Sequence, residues 1–160
     1  MKIKIDPLDP KSIENAIKQV EEYKVRLKQK EFELLERLSA MGATQVSLRF
    51  ANAIYSGEND VSVRVELNDN KAVIVAEGQA VCFIEFGTGI RYGFGYSGQK
   101  PAGIVGIGEY GKGKGNNPKG WWYGHSEHTY GNPPNEGMYR TVQALSEEIL
   151  KIAREVFSRD

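Results

Sequence analysis

The chain has 160 residues, enough for one domain with a buried core. Lysine plus arginine and aspartate plus glutamate both number 21, which excludes a net field that would draw the chain to nucleic acid or to an anionic membrane. The single cysteine, Cys82, excludes a disulfide framework within the chain and suits a reducing cytoplasm. No apolar signal core follows the N-terminus, and no run approaches the roughly 18 apolar residues that span a bilayer, so we expect no membrane partner.

The first predicted element is a long amphipathic helix. Asp9 is a suitable N-cap, Pro10 suits the first helical position, and Gly42 is the predicted end. About 30 residues give about 45 Å of helix, more than a compact domain needs, so the helix either covers the sheet that follows or lies partly against another body. Lys24 and Glu31 interrupt the apolar stripe and argue against an autonomous coiled coil. The stripe recurs in steps of four and three through Lys24 and Glu31, and its apolar members are Ile13, Ile17, Val20, Leu27, Leu34, Leu38 and Met41.

Three short runs predict an antiparallel meander. Residues 46–50 alternate apolar and polar side chains, as one half-buried strand does. Residues 61–67 repeat this alternation more clearly, with four apolar side chains separated by polar ones. Asn68, Asp69 and Asn70 then favour a tight turn, and residues 71–76 return as a more fully buried strand.

A dense apolar run follows at residues 80–89. Its apolar side chains fall at helical spacing, and Gly87 stands where a helix would end in a left-handed cap, so we predict a short helix, although a strand fits nearly as well. Within the run, Cys82 is expected to be a small core residue. Glu85 must be either exposed or partnered, by an arginine such as Arg91 or Arg140 or by free N–H groups.

The pattern then breaks down for about forty residues, because fifteen of the 18 glycines lie between Gly87 and Gly137. We predict an irregular glycine- and aromatic-rich insertion over residues 90–131, with one brief strand at 103–107. Asn135 is the predicted N-cap of a last helix, with Arg154 and Arg159 near its negative end. The apolar stripe of that helix is Val142, Leu145, Ile149, Ile152 and Val156.

The predicted fold class is therefore α+β, in a single domain covering residues 1–160. A small antiparallel sheet is packed by a long N-terminal helix and a C-terminal helix, with a short central helix and a long glycine- and aromatic-rich loop.

Two motifs in the insertion could carry chemistry. Residues 93–98 and 106–111 both spell G-x-G-x-x-G, but neither precedes a helical pattern that would point N–H groups at a phosphate, so we expect no cofactor. His125, Glu127 and His128 place two imidazoles and a carboxylate within four residues. They could serve a metal-dependent hydrolase, but they lack the spacing of a helical zinc motif and suit an ordinary polar loop.

The aromatic side chains of the insertion are more informative. They are interleaved with lysine and arginine, a composition that serves either protein docking or stacking on a single-stranded nucleic acid. Nucleic acid is the weaker interpretation because the chain carries no net positive charge. One residue of the Trp121–Trp122 pair is expected to fold back and cover the sheet. The candidate docking residues are Tyr92, Phe94, Tyr96, Trp121, Trp122 and Tyr123.

Two short signatures frame this insertion. The first is Phe83-Ile84-Glu85-Phe86-Gly87-Thr88-Gly89 and the second is Gly131-Asn132-Pro133-Pro134, which leads into the last helix. Together with the order of elements, they resemble the tail-component or neck protein family of long-tailed, lambda-like bacteriophages. The matching positions are Glu85, Phe86, Gly87, Thr88, Gly131 and Pro133, with looser matches at Met138 and Tyr139.

The resemblance implies a non-enzymatic virion protein, assembled in the cytoplasm of the bacterial host. It implies that copies of the chain form a ring at the neck or tail. The implied partners are head-closure or connector proteins on one side and tail-terminator or tail-tube proteins on the other. In a ring, one surface of each copy must meet a different surface of its neighbour. The matching residues would be structural, and the aromatic insertion would provide contacts between subunits.

Overall fold

The computed structural model describes residues 3–92, 95–101, 117–123 and 127–158. Within these residues, three helices and two antiparallel hairpins follow one another along the chain. The helices are α1 (Pro10–Ala51), α2 (Val81–Phe86) and α3 (Gly137–Phe157). The first hairpin contains β1 (Ser62–Asn68) and β2 (Lys71–Glu77), and the second contains β3 (Trp121–Tyr123) and β4 (Glu127–Thr129). The predicted α+β class is confirmed, with a long N-terminal helix, a small antiparallel sheet and a C-terminal helix.

Helix α1 begins as predicted but ends later. The side chain of Asp9 accepts a hydrogen bond from the Lys11 N–H at 3.0 Å, and Pro10 occupies the first turn. The predictions that the helix ends at Gly42 and that residues 46–50 form a strand are wrong. Val46 and Phe50, four residues apart, are buried on one helix face, whereas Leu48 between them is 58% exposed. A five-residue alternation contains the same i, i+4 pair that a helix buries, which explains the error.

Gly42 lies inside α1 because neighbouring elements approach the helix there. A Cβ atom added at this position would press on the side-chain ends of Ile74 and Leu145. Because glycine has no side chain, α1, β2 and α3 can pack closely against one another at this position.

We expect Gly42→Leu to destabilise the fold by about 1 to 3 kcal/mol, because overpacking outweighs the better helix propensity of leucine, which is worth about 1 kcal/mol. Ala40→Leu on the exposed side of the same helix is the matched control and should leave stability nearly unchanged. Urea unfolding followed by circular dichroism compares the two. Equal midpoints for both variants would contradict the close approach at Gly42.

The first hairpin has the predicted turn but fewer strands than the predicted meander. β1 and β2 pair antiparallel from Ser62 opposite Glu77 to Asn68 opposite Lys71, so the two-residue turn is Asp69–Asn70. The third strand of the meander is missing from the described residues because its sequence belongs to α1. β2 is the more buried strand, as expected.

The core is formed between α1, the first hairpin and α2. Its buried centre consists of Val46 and Phe50 from α1 together with Ala80 and Ile84. Cys82 is only half-buried, which is less than the predicted core position, and burial raises the pKa of its thiol, with a further contribution from Glu85.

The predicted short central helix is confirmed as α2. Its N-terminal end is capped by Asp60, which lies 20 residues before Ala80 in the sequence. The Asp60 carboxylate accepts hydrogen bonds from the N–H groups of Gln79 at 2.7 Å and Ala80 at 2.8 Å. These bonds, that from Ala80 first, lower the pKa of Asp60. Gly87 follows the helix with φ 71° and ψ 169°, so its φ is positive as predicted but its ψ lies outside the left-handed helical region.

Helix α3 runs antiparallel to α1. The Lys30 ammonium donates to the carbonyl of Phe157 at 3.3 Å, whereas the Asn135 side-chain amide at the other end donates to the carbonyl of Arg49 at 3.1 Å. The predicted helix is confirmed, but its predicted N-cap is wrong, because Glu136 occupies that position. Val142 is exposed whereas Val156 is buried, so only part of the predicted stripe faces inward. Arg159 lies outside the described residues.

The second hairpin lies within the predicted irregular insertion, which therefore contains some regular structure. Trp121 pairs with Thr129, Trp122 with His128 and Tyr123 with Glu127. The brief strand predicted at residues 103–107 lies outside the described part of the chain. Across the described ranges, no helix combines the length and apolar character needed to cross a membrane.

Candidate functional site

The two sequence signatures meet in space. Residues 83–89 and 131–136 pack side by side, and we call this pair of segments the signature junction. The Thr88 N–H donates to the carbonyl of Asn132 at 2.9 Å, and the Thr88 hydroxyl donates to the Asn132 side-chain oxygen at 2.6 Å. In return, the Asn132 N–H donates to the Thr88 hydroxyl at 3.1 Å. Three hydrogen bonds therefore connect two segments that lie 44 residues apart in the sequence.

Residues 131–136 also provide hydrogen-bond donors to the C-terminal end of α2. A helix leaves its last carbonyls without partners inside the helix. Here the carbonyl of Phe83 accepts from the Asn132 side-chain amide at 2.9 Å, and that of Ile84 accepts from the Asn135 N–H at 2.8 Å. The carbonyl of Glu85 accepts from the Glu136 N–H at 3.2 Å. The junction thus satisfies three consecutive carbonyls at the C-terminal end of α2.

Close backbone contact makes two glycines necessary in this junction. Gly89 has φ 81° and Gly131 has φ 103°, values that side-chain-bearing residues rarely adopt. A Cβ atom at Gly131 would overlap the carbonyl oxygen of Thr88, and one at Gly89 would overlap that of Tyr130. The chain therefore needs glycine on both sides of the contact.

Glu85 caps the last helix from the first signature. The Met138 N–H donates to Glu85 Oε2 and the Tyr139 N–H donates to Glu85 Oε1, both at 3.0 Å. Only 3% of Glu85 is exposed. A buried carboxylate at a helix N-terminus is stabilised by these charge-assisted bonds and by the helix dipole. Of the two partners predicted for this carboxylate, free N–H groups are the ones that the structure provides.

Tyr96 closes this carboxylate site from the insertion. Its hydroxyl donates to Glu85 Oε1 at 3.4 Å, and its ring lies against Phe86 at 4.9 Å and Tyr139 at 5.7 Å between centroids. Burial, followed by the nearby Glu85 charge, raises the pKa of Tyr96 to about 12. The hydroxyl therefore stays protonated and remains a donor. Tyr96, predicted as a docking residue, is half-buried against its own domain.

Glu136 forms a second buried carboxylate site beside the first. It adopts a left-handed backbone conformation with φ 56° and makes no side-chain cap to α3. Instead, its Oε1 accepts from the Ser97 N–H at 2.7 Å and its Oε2 accepts from Arg140 Nε at 2.8 Å. Sequence reasoning missed this residue, although its i, i+4 spacing to Arg140 was a visible signal.

The hydrogen bonds of Glu136 predict a pH dependence of stability. Burial alone would raise the pKa of Glu136, but hydrogen bonds from Ser97 and Arg140 outweigh it and lower the pKa from its usual 4.5. A lowered folded-state pKa contributes stability above the usual value, and this contribution is lost as the pH falls through the folded-state pKa. We therefore expect the free energy of unfolding of wild type to fall more between pH 7 and pH 3 than that of Glu136→Gln. Urea unfolding at each pH measures the difference.

The exposed Glu147 of α3 supplies the control for this measurement. Glu147→Gln should keep the pH dependence of wild type, because its carboxylate makes no such buried contacts. A Glu136→Gln variant with the full wild-type loss of stability at low pH would show that ionisation of Glu136 adds no stability through its bonds with Ser97 and Arg140.

The histidine cluster is only partly within the described chain. His125 lies outside it. His128 Nε2 lies 2.9 Å from the carbonyl oxygen of Lys119, and the His128 ring stands edge-on to Trp122 and Tyr130 at 5.0 and 4.9 Å. Among the described residues, no group of three His, Cys, Asp or Glu side chains is arranged to hold a metal ion.

The same contacts create an exposed aromatic surface, which we define as Arg91, Trp122, His128 and Tyr130. The Arg91 guanidinium lies over the Tyr130 ring at 3.8 Å. Trp122 is 59% exposed, whereas Trp121 is half-buried. Tyr92 is exposed beside Arg91 in the chain. Phe94 and the side chain of Tyr123 lie outside the described part.

Comparisons with protein-family models, with curated proteins and with solved structures find no match to this chain.

Proposed function

We propose that this chain is a non-enzymatic structural protein of a long-tailed phage virion. It acts in the neck or tail, in head-tail joining or tail completion, and is assembled in the cytoplasm of the bacterial host. It forms a ring with copies of itself and docks to head-closure or connector proteins and to tail-terminator or tail-tube proteins. The observation that carries the proposal is the signature junction, in which both family-like signatures form one hydrogen-bonded unit.

The junction supports a structural role because its carboxylates are engaged within the fold. Each oxygen of Glu85 and of Glu136 accepts at least one hydrogen bond from the protein. A general acid or base needs an oxygen that is free to exchange a proton with a substrate. Capping carboxylates instead hold α2, α3 and the start of the insertion in a fixed relation. A rigid base of this kind suits an insertion that presents docking residues to neighbouring subunits.

The aromatic surface is the proposed docking site. Tryptophan, tyrosine and arginine are the side chains that most often dominate the energy of protein interfaces. Trp122 is the most exposed aromatic side chain described on this surface, next to Tyr130 and Arg91. In a closed ring, such a surface meets a different surface on the neighbouring copy, so its loss should block assembly without unfolding the subunit.

The experiment has two parts. Mass spectrometry of particles purified from the phage that carries the gene should detect the chain in several copies per virion. Complementation with Trp122→Ser should then lower its incorporation at least about tenfold, as expected for loss of an interface hot spot. Val142→Ser is the matched control, because Val142 is a similarly exposed apolar residue on α3.

Absence of the chain from purified particles would overturn the proposal. Equal incorporation of Trp122→Ser and Val142→Ser would remove the aromatic surface from it. Circular dichroism of both purified variants checks that neither change unfolds the subunit.

A further inference from the structure

The N-terminal half of α1 extends beyond α3 and is contacted at its start by the segment before it, where the Asp6 N–H donates to the Ser12 hydroxyl at 2.8 Å and Ala16 is buried. The helix has 42 residues and is about 63 Å long. Helix α3 ends beside Lys30, where Phe157 accepts a hydrogen bond, and the turn of the first hairpin shares a groove with the α1 residues from Lys28 to Phe32. Every residue from Ile17 to Gln29 is exposed. We call residues 10–29 of α1 the projecting half.

The apolar stripe of α1 continues along the projecting half. In the C-terminal half of the helix, Leu34, Leu38 and Met41 lie at least partly covered where α1 packs on α3 and the sheet. The same spacing of four and three, which passes through Lys24, places Ile13, Ile17, Val20 and Leu27 on one line, and these side chains are 41 to 54% exposed. Spacing of this kind is typical of a helix that packs against another helix, although the charged Lys24 interrupts the stripe here.

We propose that the projecting half pairs antiparallel with the projecting half of a second copy of this chain. In the alignment that we infer, Ile17 faces Leu27 of the second copy and Val20 faces Lys24 of the second copy. The same alignment places Ile13 opposite Glu31 at each end of the seam. This inference goes beyond the proposed function and does not rest on it. A pairing of two identical surfaces closes at two copies and cannot by itself build a ring.

The charged residues in the seam determine the direction of this pairing. In a parallel, in-register pair, Lys24 would face Lys24 and Glu31 would face Glu31 inside the seam, and like charges there oppose association. In the antiparallel pair, Lys24 lies next to Glu21 of the second copy. Two lysines and two glutamates then alternate about the centre, which offsets the approach of the two Glu21 side chains.

A second charge pair on the flank of the seam supports the same alignment. Glu14 on one copy lies opposite Lys28 on the other, and the pair occurs twice because of the two-fold symmetry. The two Tyr23 side chains meet near the centre on the opposite flank. Complementary flanking charges are the feature that sets orientation in paired helices.

Cross-linking tests the orientation directly. Cys82→Ala supplies a cysteine-free background, since Cys82 is the sole cysteine of the chain. In that background, Tyr23→Cys should be joined by a short bis-maleimide, because both copies of this position lie near the two-fold axis. Ile13→Cys should not be joined, because its two copies would be separated by about 27 Å along the helix axis. Efficient cross-linking of Ile13→Cys would overturn the antiparallel alignment.

A charge exchange tests the residues that specify the pair. Light scattering of the free full chain, in the absence of the particle proteins to which the proposed ring docks, should give a mass twice its 17.8 kDa. Lys24→Glu should weaken dimerisation at least about tenfold, because it brings four carboxylates together at the centre. Glu21→Lys combined with Lys24→Glu restores the alternation and should restore the dimer. A wild-type chain that stays monomeric, or a double variant as weak as Lys24→Glu, would overturn the proposal.

Failure here is distinguishable from failure of the proposed function. Incorporation into particles is tested through Trp122, which lies on a different element from the projecting half. Capture of a phage protein by the projecting half, with no dimer of the free chain, would also overturn the inference while leaving the virion role intact. Circular dichroism at the concentrations used for light scattering confirms that each variant remains folded.

Discussion

Replacing Glu85 with alanine should destabilise the fold by at least about 3 kcal/mol, because it leaves two backbone N–H groups buried without an acceptor. The Met138 and Tyr139 N–H groups both bond to this carboxylate, and Glu136 offers α3 no side-chain cap in its place. The Tyr96 hydroxyl loses its acceptor as well. Urea unfolding followed by circular dichroism measures the change in midpoint, with the slope showing whether the transition remains two-state.

Glu77→Ala provides the matched control. Glu77 also accepts a charge-assisted hydrogen bond, from Arg64 at 2.6 Å, but both side chains are about half exposed. An exposed ion pair contributes little to stability because solvent screens it, so the control should change little. If Glu85→Ala cost no more than Glu77→Ala, the buried carboxylate would not be the cap that holds α3 to α2.

Local periodicity accounts for the parts of the fold that could be predicted. The start of α1 at Asp9–Pro10, the turn at Asp69–Asn70 and the short helix before Gly87 all depend on residues within one or two turns of each other. The strand predicted at residues 46–50 was wrong because a window of five residues cannot separate an alternating pattern from an i, i+4 pair. The helix end predicted at Gly42 was wrong for another reason. Glycine is needed there because of Ile74 and Leu145, which are distant in sequence.

The candidate site was predictable only as two separate signatures. The bond from Tyr139 N–H to Glu85 spans 54 residues, and no local pattern contains such a pairing. By residue type, Asn135 was the better N-cap, but its side chain donates to Arg49 on α1 instead. Glu136 then takes the cap position in a left-handed conformation that glutamate rarely adopts. Contacts between residues that are distant in sequence therefore determine both the cap that Glu85 forms on α3 and the positions of Asn135 and Glu136.

Replacing Gly131 with alanine should also cost at least about 3 kcal/mol. The backbone there has φ 103°, and strain of this kind costs on the order of 1 to 3 kcal/mol for a residue with a side chain. The added Cβ would in addition overlap the carbonyl oxygen of Thr88, which is backbone and cannot turn away as a side chain does. Separating the two segments would weaken the three hydrogen bonds between Thr88 and Asn132, each worth about 1 kcal/mol.

Gly95→Ala is the matched control for this prediction. Gly95 does not share the positive φ, and a Cβ there would lie 3.2 Å from the carbonyl oxygen of Tyr92, which a small shift relieves. Its midpoint should stay close to that of wild type. Hydrogen exchange of the Thr88 and Asn132 amides locates the damage, since Gly131→Ala should expose both before α1 opens. Retained protection of these amides in Gly131→Ala would mean that the two signatures are held together by other contacts, because the backbone pairing could not survive the overlap.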